Sequence, residues 1–167
     1  KNDPQLASIY LDMGRFYLII RNDPKAFVYL DMAERITISQ NNTNSITAGS
    51  LFLNMGVYYV YTGDYEKAQS YFDKSLEIIS TKAPGNIENL TTIYLNMGFI
   101  AEKKGDYSLS KNYYLKALSI GEKLVVSVKV LRGLANVSFK MKDTLSADDY
   151  YNKALKKSIE MNGETSS

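Results

Sequence analysis

The chain has no cysteine and no histidine among its 167 residues. Disulfides, thiolate metal sites and the Ser–His or Cys–His pairs of nucleophilic catalysis are thereby excluded, while the redox compartment stays open. No apolar run approaches the length of a membrane span, and no signal-peptide pattern opens the chain. It starts at Lys1 rather than Met, as expected of a processed protein or a piece of something longer. Any anchor or output domain is then expected outside it, with the cytoplasm favoured and the periplasm an alternative if such an anchor or leader exists. Net charge is only +2, so no overall field points to nucleic acid or an anionic membrane. No glycine loop suited to cradling phosphate appears. Asp148 and Asp149 are adjacent, which on a helix splays them about 100° apart and removes a simple carboxylate pair. No catalytic residue, metal ligand or cofactor site is expected, and the chain does not read as an enzyme.

Charge is uneven along the chain. Residues 1–60 balance five Lys/Arg against five Asp/Glu, whereas 123–157 carry eight basic and three acidic residues. A solvated helical face is the expected reading of that stretch. A nucleic-acid surface there would predict a steep salt dependence, and nucleic acid is not the expected partner. The composition, 45% hydrophobic and 23% charged, suits one domain spanning 1–167 with a substantial core.

The pattern within the chain is a repeat. LDMG at 11–14 returns as LNMG at 53–56 and 95–98, placing Gly14, Gly56 and Gly98 42 residues apart. Three further ladders keep the same register: Ala26, Ala68, Ser110, Ala147; Ala33, Ser75, Ala117, Ala154; and Leu30, Phe72, Tyr114, Tyr151. The fourth copy follows after 37 residues, with Ala135 at the glycine position. Small residues let helix axes approach closely, and large ones such as Tyr10, Phe52, Tyr94 and Leu131 fill the space between neighbours. Between paired helices stand Gly63-Asp64-Tyr65 and Gly105-Asp106-Tyr107, a left-handed helix stop followed by an N-cap. Asn22 and Asp143 hold the cap position in the outer copies, where Arg21 and Lys142 replace the glycine, and Pro24 suits a first turn. The spacing predicts helices at 4–21 and 24–40, 46–62 and 65–81, 87–104 and 107–122, 125–141 and 144–161.

These residues resemble the tetratricopeptide repeat family. Copy two matches best, through Phe52, Met55, Gly56, Tyr59, Gly63, Tyr65, Ala68, Phe72 and Ser75, with Ser80 where the family's closing proline would stand. A period of 42 rather than 34 is similar to the long-helix variety found in kinesin light chains and bacterial sensor and regulator proteins, the extra residues adding about two helical turns. The resemblance implies an all-α, right-handed α-α superhelix of four helix-turn-helix repeats, at about 4–40, 46–81, 87–122 and 125–161. Such units are stabilised by stacking on one another. Ten residues past the first alanine ladder the copies read Ile36, Ile78, Ile120 and then Lys157. An unpaired ammonium is costly to bury, so the fourth copy is expected to be a solvent-facing end.

The resemblance also implies a concave face lined by the first helix of each copy, and a protein or peptide as partner. Two residues before the glycine ladder stand Asp12, Asn54, Asn96 and Gly133; one after it, Arg15, Val57, Phe99 and Asn136; three before it, Leu11, Leu53, Leu95 and Arg132. Asn54 and Asn96 are suited to an extended peptide backbone, and Arg15 and Arg132 to a carboxylate. Asn54 and Asn96 are equally open to a spacer role, bonding each other or nearby helices. The peptide-binding candidates are thus Asp12, Arg15, Asn54, Val57, Asn96, Phe99, Arg132 and Asn136. The basic clamp for chaperone tails is not evident, since Leu53, Val57, Leu95 and Phe99 occupy its polar positions. The fourteen tyrosines are expected in the core rather than stacking on RNA bases. A sensor segment of a larger bacterial-type regulator is the leading expectation; the alternative is a scaffold that self-associates through its ends, with Phe16, Ile19 and Ile20 open at the first copy.

Overall fold

A computed structural model describes residues 4–164. The described residues form eight helices: α1 Pro4–Ile19, α2 Asp23–Ser39, α3 Ile46–Thr62, α4 Tyr65–Lys82, α5 Ile87–Lys103, α6 Tyr107–Gly121, α7 Ser127–Lys140 and α8 Thr144–Glu164. The fold is all-α, built of four helix hairpins as the ladders predict. Two compact units divide the chain, Lys1–Asn89 and Leu90–Ser167, with the boundary inside α5. In the first unit α1 pairs with α2 and α3 with α4; in the second α7 pairs with α8 and α6 packs on α7.

The turns follow local chemistry. The side chains of Asn22, Asp64, Asp106 and Asp143 accept the amides of Lys25, Lys67, Leu109 and Ser146 at 3.3, 3.2, 2.9 and 3.1 Å. Each such cap is worth ~1 kcal/mol relative to alanine. Ser45 and Asn86 cap α3 and α5 in the same way, through Ala48 and Asn89, although no ladder marks them. Gly63 and Gly105 end their helices at φ 82°, and Arg21 and Lys142 adopt the same left-handed conformation at 58° and 65°. α1 therefore stops at Ile19, two residues earlier than the periodicity suggests. α7 begins at Ser127 rather than 125, and its N-cap residue Val126 makes no side-chain cap hydrogen bond.

The small-residue ladders are the close-packed seams. Ala26, Ala68, Ser110, Ala33, Ser75 and Ala117 are all buried. Ser75 and Ser110 satisfy their hydroxyls by donating to the carbonyls of Gly49 and Gly98, both at 2.7 Å. A Cβ on Gly14, Gly56 or Gly98 would come within 2.6 Å of Leu30, Phe72 or Tyr114 respectively, so each ladder glycine is the seat of the large residue on its partner helix. The fourth hairpin breaks this rule: Ala135 is buried there and Tyr151 is 45% exposed. Its alanine methyl removes the seat that the glycines provide.

Tyrosines pack mainly on one another. Tyr17 stacks on Tyr29 at 5.4 Å, Tyr59 on Tyr71 at 5.5 Å and Tyr94 on Tyr113 at 6.2 Å between centroids. Tyr71 donates to Glu34 at 3.0 Å and Tyr114 to Glu102 at 3.0 Å. Burial first, then the neighbouring carboxylate, pushes both phenols well above the usual tyrosine range.

The α8 face of the fourth hairpin is open, with Leu155 and Ile159 each 61% exposed. The Lys157 ammonium donates to the backbone carbonyl of Glu122 beside the α6–α7 turn.

Candidate peptide-binding face

The first helix of each hairpin carries the candidate residues, in two sets belonging to the two units. In the first unit Asp12 and Arg15 lie exposed on α1 and are brought together, with Nη1 of Arg15 3.8 Å from Oδ1 of Asp12. An exposed pair one turn apart is weakly held and salt-screened, so both groups can exchange this contact for a ligand. On α3, Asn54 is half-buried and donates Nδ2 to the carbonyl of Ser50 at 2.7 Å. Val57, also half-buried, packs on the core formed by Leu11, Leu30, Leu51 and Met55.

The second unit repeats part of this arrangement. Asn96 on α5 is half-buried and donates Nδ2 to the carbonyl of Thr92 at 2.8 Å. Phe99 is half-buried beneath the Lys103 ammonium, 5.1 Å from its centroid. On α7, Arg132 and Asn136 are exposed. Asn136 accepts the Tyr151 hydroxyl at 2.5 Å, so its carbonyl oxygen already serves the hairpin.

Asn54 and Asn96 thus behave alike. Each anchors one N–H to its own helix, one turn back. That anchoring fixes the carboxamide's orientation and leaves its oxygen to accept from a partner, since an amide offers two donors and an acceptor.

Three neighbouring positions correct the expected face. Leu11 and Leu53 are buried, each 6% exposed, because α1 and α3 turn that position toward their partner helices. Gly133 is buried as well; a Cβ there would lie 2.6 Å from Cζ of Tyr114. Only Leu95 and Arg132 in that set remain partly or fully accessible. The sequence reading also missed a cavity of about 490 Å³ in the first unit, lined by Glu34, Phe52, Lys74, Glu77 and Ile78 among others. It lies between α2, α3 and α4, away from the glycine ladder, and takes in the ladder residues Phe52 and Ile78. Among the described residues no group of three or more Asp/Glu side chains is placed to hold a metal ion. No helix among them is long and apolar enough to cross a membrane.

Residues 47–123 carry a tetratricopeptide repeat match, which covers the second and third hairpins, where the ladders are most regular. The chain's fold is similar to that of BtubC (BKLC) from P. vanneervenii, with a TM-score of 0.83 and 20% identity over 96% of this chain and 66% of that one. NprR, solved in complex with its cognate peptide NprX, matches with a TM-score of 0.75 and 22% identity, over 90% of this chain and 43% of NprR. A signal transduction ATPase with numerous domains, carrying a tetratricopeptide repeat sensor, from Pyrococcus horikoshii, matches at 0.70 and 25% identity. The match covers 89% of this chain and 23% of the ATPase. The chain therefore spans from about a quarter to two thirds of the length of these solved proteins. No curated protein matches its sequence.

Proposed function

We propose that this tetratricopeptide-type domain is the peptide- or protein-sensing segment of a larger bacterial-type regulator, acting by binding and not by catalysis, with its four hairpins serving one binding domain. The observation that carries the reading is the matched pair Asn54 and Asn96, each with one N–H tied to its own helix and a carboxamide oxygen free to accept. Each of these oxygens suits an amide N–H of an extended peptide, whose main chain offers a donor at every non-proline residue. Arg15 and Arg132, both exposed, suit a carboxylate on that peptide, and Val57 and Phe99 supply apolar contact beside them. NprR, solved with its cognate peptide, and the sensor-bearing ATPase support the same reading by likeness of fold. A regulator of this kind would place the segment in the cytoplasm.

A pull-down with the chain as bait, repeated with Asn54→Ala and Asn96→Ala, tests the proposal. The variants are expected to lose partner binding at least several-fold while their helical circular dichroism and urea midpoints stay close to the parent's. Variants that bind as well as the parent, or that unfold, would assign both amides a structural role and remove this face from the proposal.

A further inference from the structure

The cavity of about 490 Å³ between α2, α3 and α4 lies within the first unit and takes no part in the peptide face. Its size suits a small ligand or a single side chain, since such pockets run from about 300 to 1,000 Å³. Phe52 and Ile78 line it with apolar surface, each only 6% exposed. Glu34 of α2, Lys74 and Glu77 of α4, and Asn44 of the α2–α3 connection supply its polar lining.

The repeat register separates scaffold from departure here. Lys74 recurs as Lys116 and Lys153. Its ammonium stands 5.6 Å from the Phe52 ring centroid and 5.2 Å from that of Tyr71; Lys116 stands 5.6 Å from Tyr94, the counterpart of Phe52. A lysine over an aromatic ring is therefore common to these hairpins. The carboxylates are not. Glu34 holds the position of Leu76, Leu118 and Leu155, and Glu77 that of Ser119 and Lys156. At the α6–α7 junction Leu118 packs on Tyr114, Val130 and Leu134, whereas at the α2–α3 junction a half-buried carboxylate stands in its place. That exchange forfeits apolar burial and adds desolvation. Departures from a local rule at such a cost gather at functional positions.

Both carboxylates have acceptor capacity left. Glu34 accepts the Tyr71 hydroxyl at 3.0 and 3.2 Å from its two oxygens. Among the described residues the Glu77 carboxylate has no partner, and Lys74 forms an ion pair with neither glutamate. Lys82 donates to the Asn44 carbonyl at 2.5 Å, which ties it to the connection. The lining thus holds two negative charges against one positive, beside apolar surface. A guanidinium fork would need both oxygens of one carboxylate, and those of Glu34 already share the Tyr71 hydroxyl. A compact ammonium, with three donors, can divide them between carboxylates on two helices.

We infer that this cavity binds an aliphatic primary ammonium, its head held by Glu34 and Glu77 and its stem lying on Phe52 and Ile78. A lysine side chain of a partner and a free diamine share that chemistry. The inference goes beyond the peptide reading and uses none of its eight residues.

Titration of the isotope-labelled chain, followed by amide chemical shifts, tests it. The probes are Nα-acetyl-lysine methylamide, cadaverine and the uncharged Nα-acetyl-norleucine methylamide. At least one amine should shift the cavity amides saturably, and the tighter of the two identifies the source as a lysine side chain or a free diamine. The norleucine probe should not shift them. Glu34→Gln/Glu77→Gln keeps an acceptor for Tyr71 and should weaken amine binding about tenfold. Glu34→Leu installs the residue of the other copies and should weaken it as well, which provides a second variant should the first misfold by circular dichroism. Failure of both amines to bind, equal binding of the norleucine probe, or undiminished binding in these variants overturns the inference. Asn54→Ala should bind the amine as the parent does, which keeps this outcome separate from that of the peptide face.

Discussion

The ring of Tyr114 rests on Gly98, so closely that a Cβ on the glycine would stand 2.6 Å from Cδ1 of the ring. Its opposite side faces Gly133, where a Cβ would come equally close to Cζ, and its hydroxyl reaches Glu102. Gly98→Ala and Gly133→Ala each force a methyl into that contact. Overpacking of this kind costs ~1–3 kcal/mol. Urea denaturation should show a lowered midpoint for either variant with helical content preserved. An unchanged midpoint would mean that the α5–α6–α7 seam can open to admit a methyl.

Lys142 takes a left-handed backbone conformation, φ 65°, at the turn where Gly105 sits at 82° in the preceding hairpin. A side chain in that region is strained, and glycine relieves the strain at some cost in chain entropy. Lys142→Gly should therefore stabilise the protein by ~0.5–1 kcal/mol in thermal or urea unfolding. Arg21→Gly should gain less, because the Arg21 guanidinium lies 3.8 Å from the Tyr61 ring centroid and that contact would be lost. Equal gains at both sites would deny the cation–π contact any role.

Asp64 and Asp143 cap α4 and α8, and both carboxyls are held below the usual aspartate range. For Asp64 the cause is its hydrogen bonds from Lys67; for Asp143 it is those from Ser146, with Lys111 nearby. A depressed folded pKa contributes stability above the unfolded value, and that stability is lost as pH falls through the folded one. Stability should thus fall on acidification below about pH 4. In Asp64→Asn/Asp143→Asn the cap geometry is kept, as Asn22 demonstrates in the first hairpin, but the charge is gone. Its acid limb should be shallower than the parent's; parallel limbs would show that the caps do not titrate with folding.

Tyr71 and Tyr114 shift in the opposite sense. Their raised folded values mean that the stabilisation is complete below the ordinary tyrosine pKa of about 10 and is lost as pH rises through the folded values. Urea midpoints should decline on going from pH 8 to 11. The decline should be less steep in Tyr71→Phe/Tyr114→Phe, which removes the two protons held by burial and by Glu34 and Glu102. Identical slopes would place the alkaline loss elsewhere.

The sequence by itself determined the hairpin count, the four caps at Asn22, Asp64, Asp106 and Asp143, and the small-residue seams. Each depends on interactions within a turn or on one residue type recurring at one register, and a linear pattern carries both. It also separated the tyrosines and glycines that serve packing from the few residues left for a ligand. Only the tertiary structure decided what each face meets. Leu11, Leu53 and Gly133 share register with accessible positions, yet all three are buried. Asn54 and Asn96 turn back to their own helices, Asn136 is taken up by Tyr151, and Lys157 reaches Glu122 across 35 residues of chain. The partners of Asn136 and Lys157 are set by the distance and rotation between helices, which a repeat period does not encode.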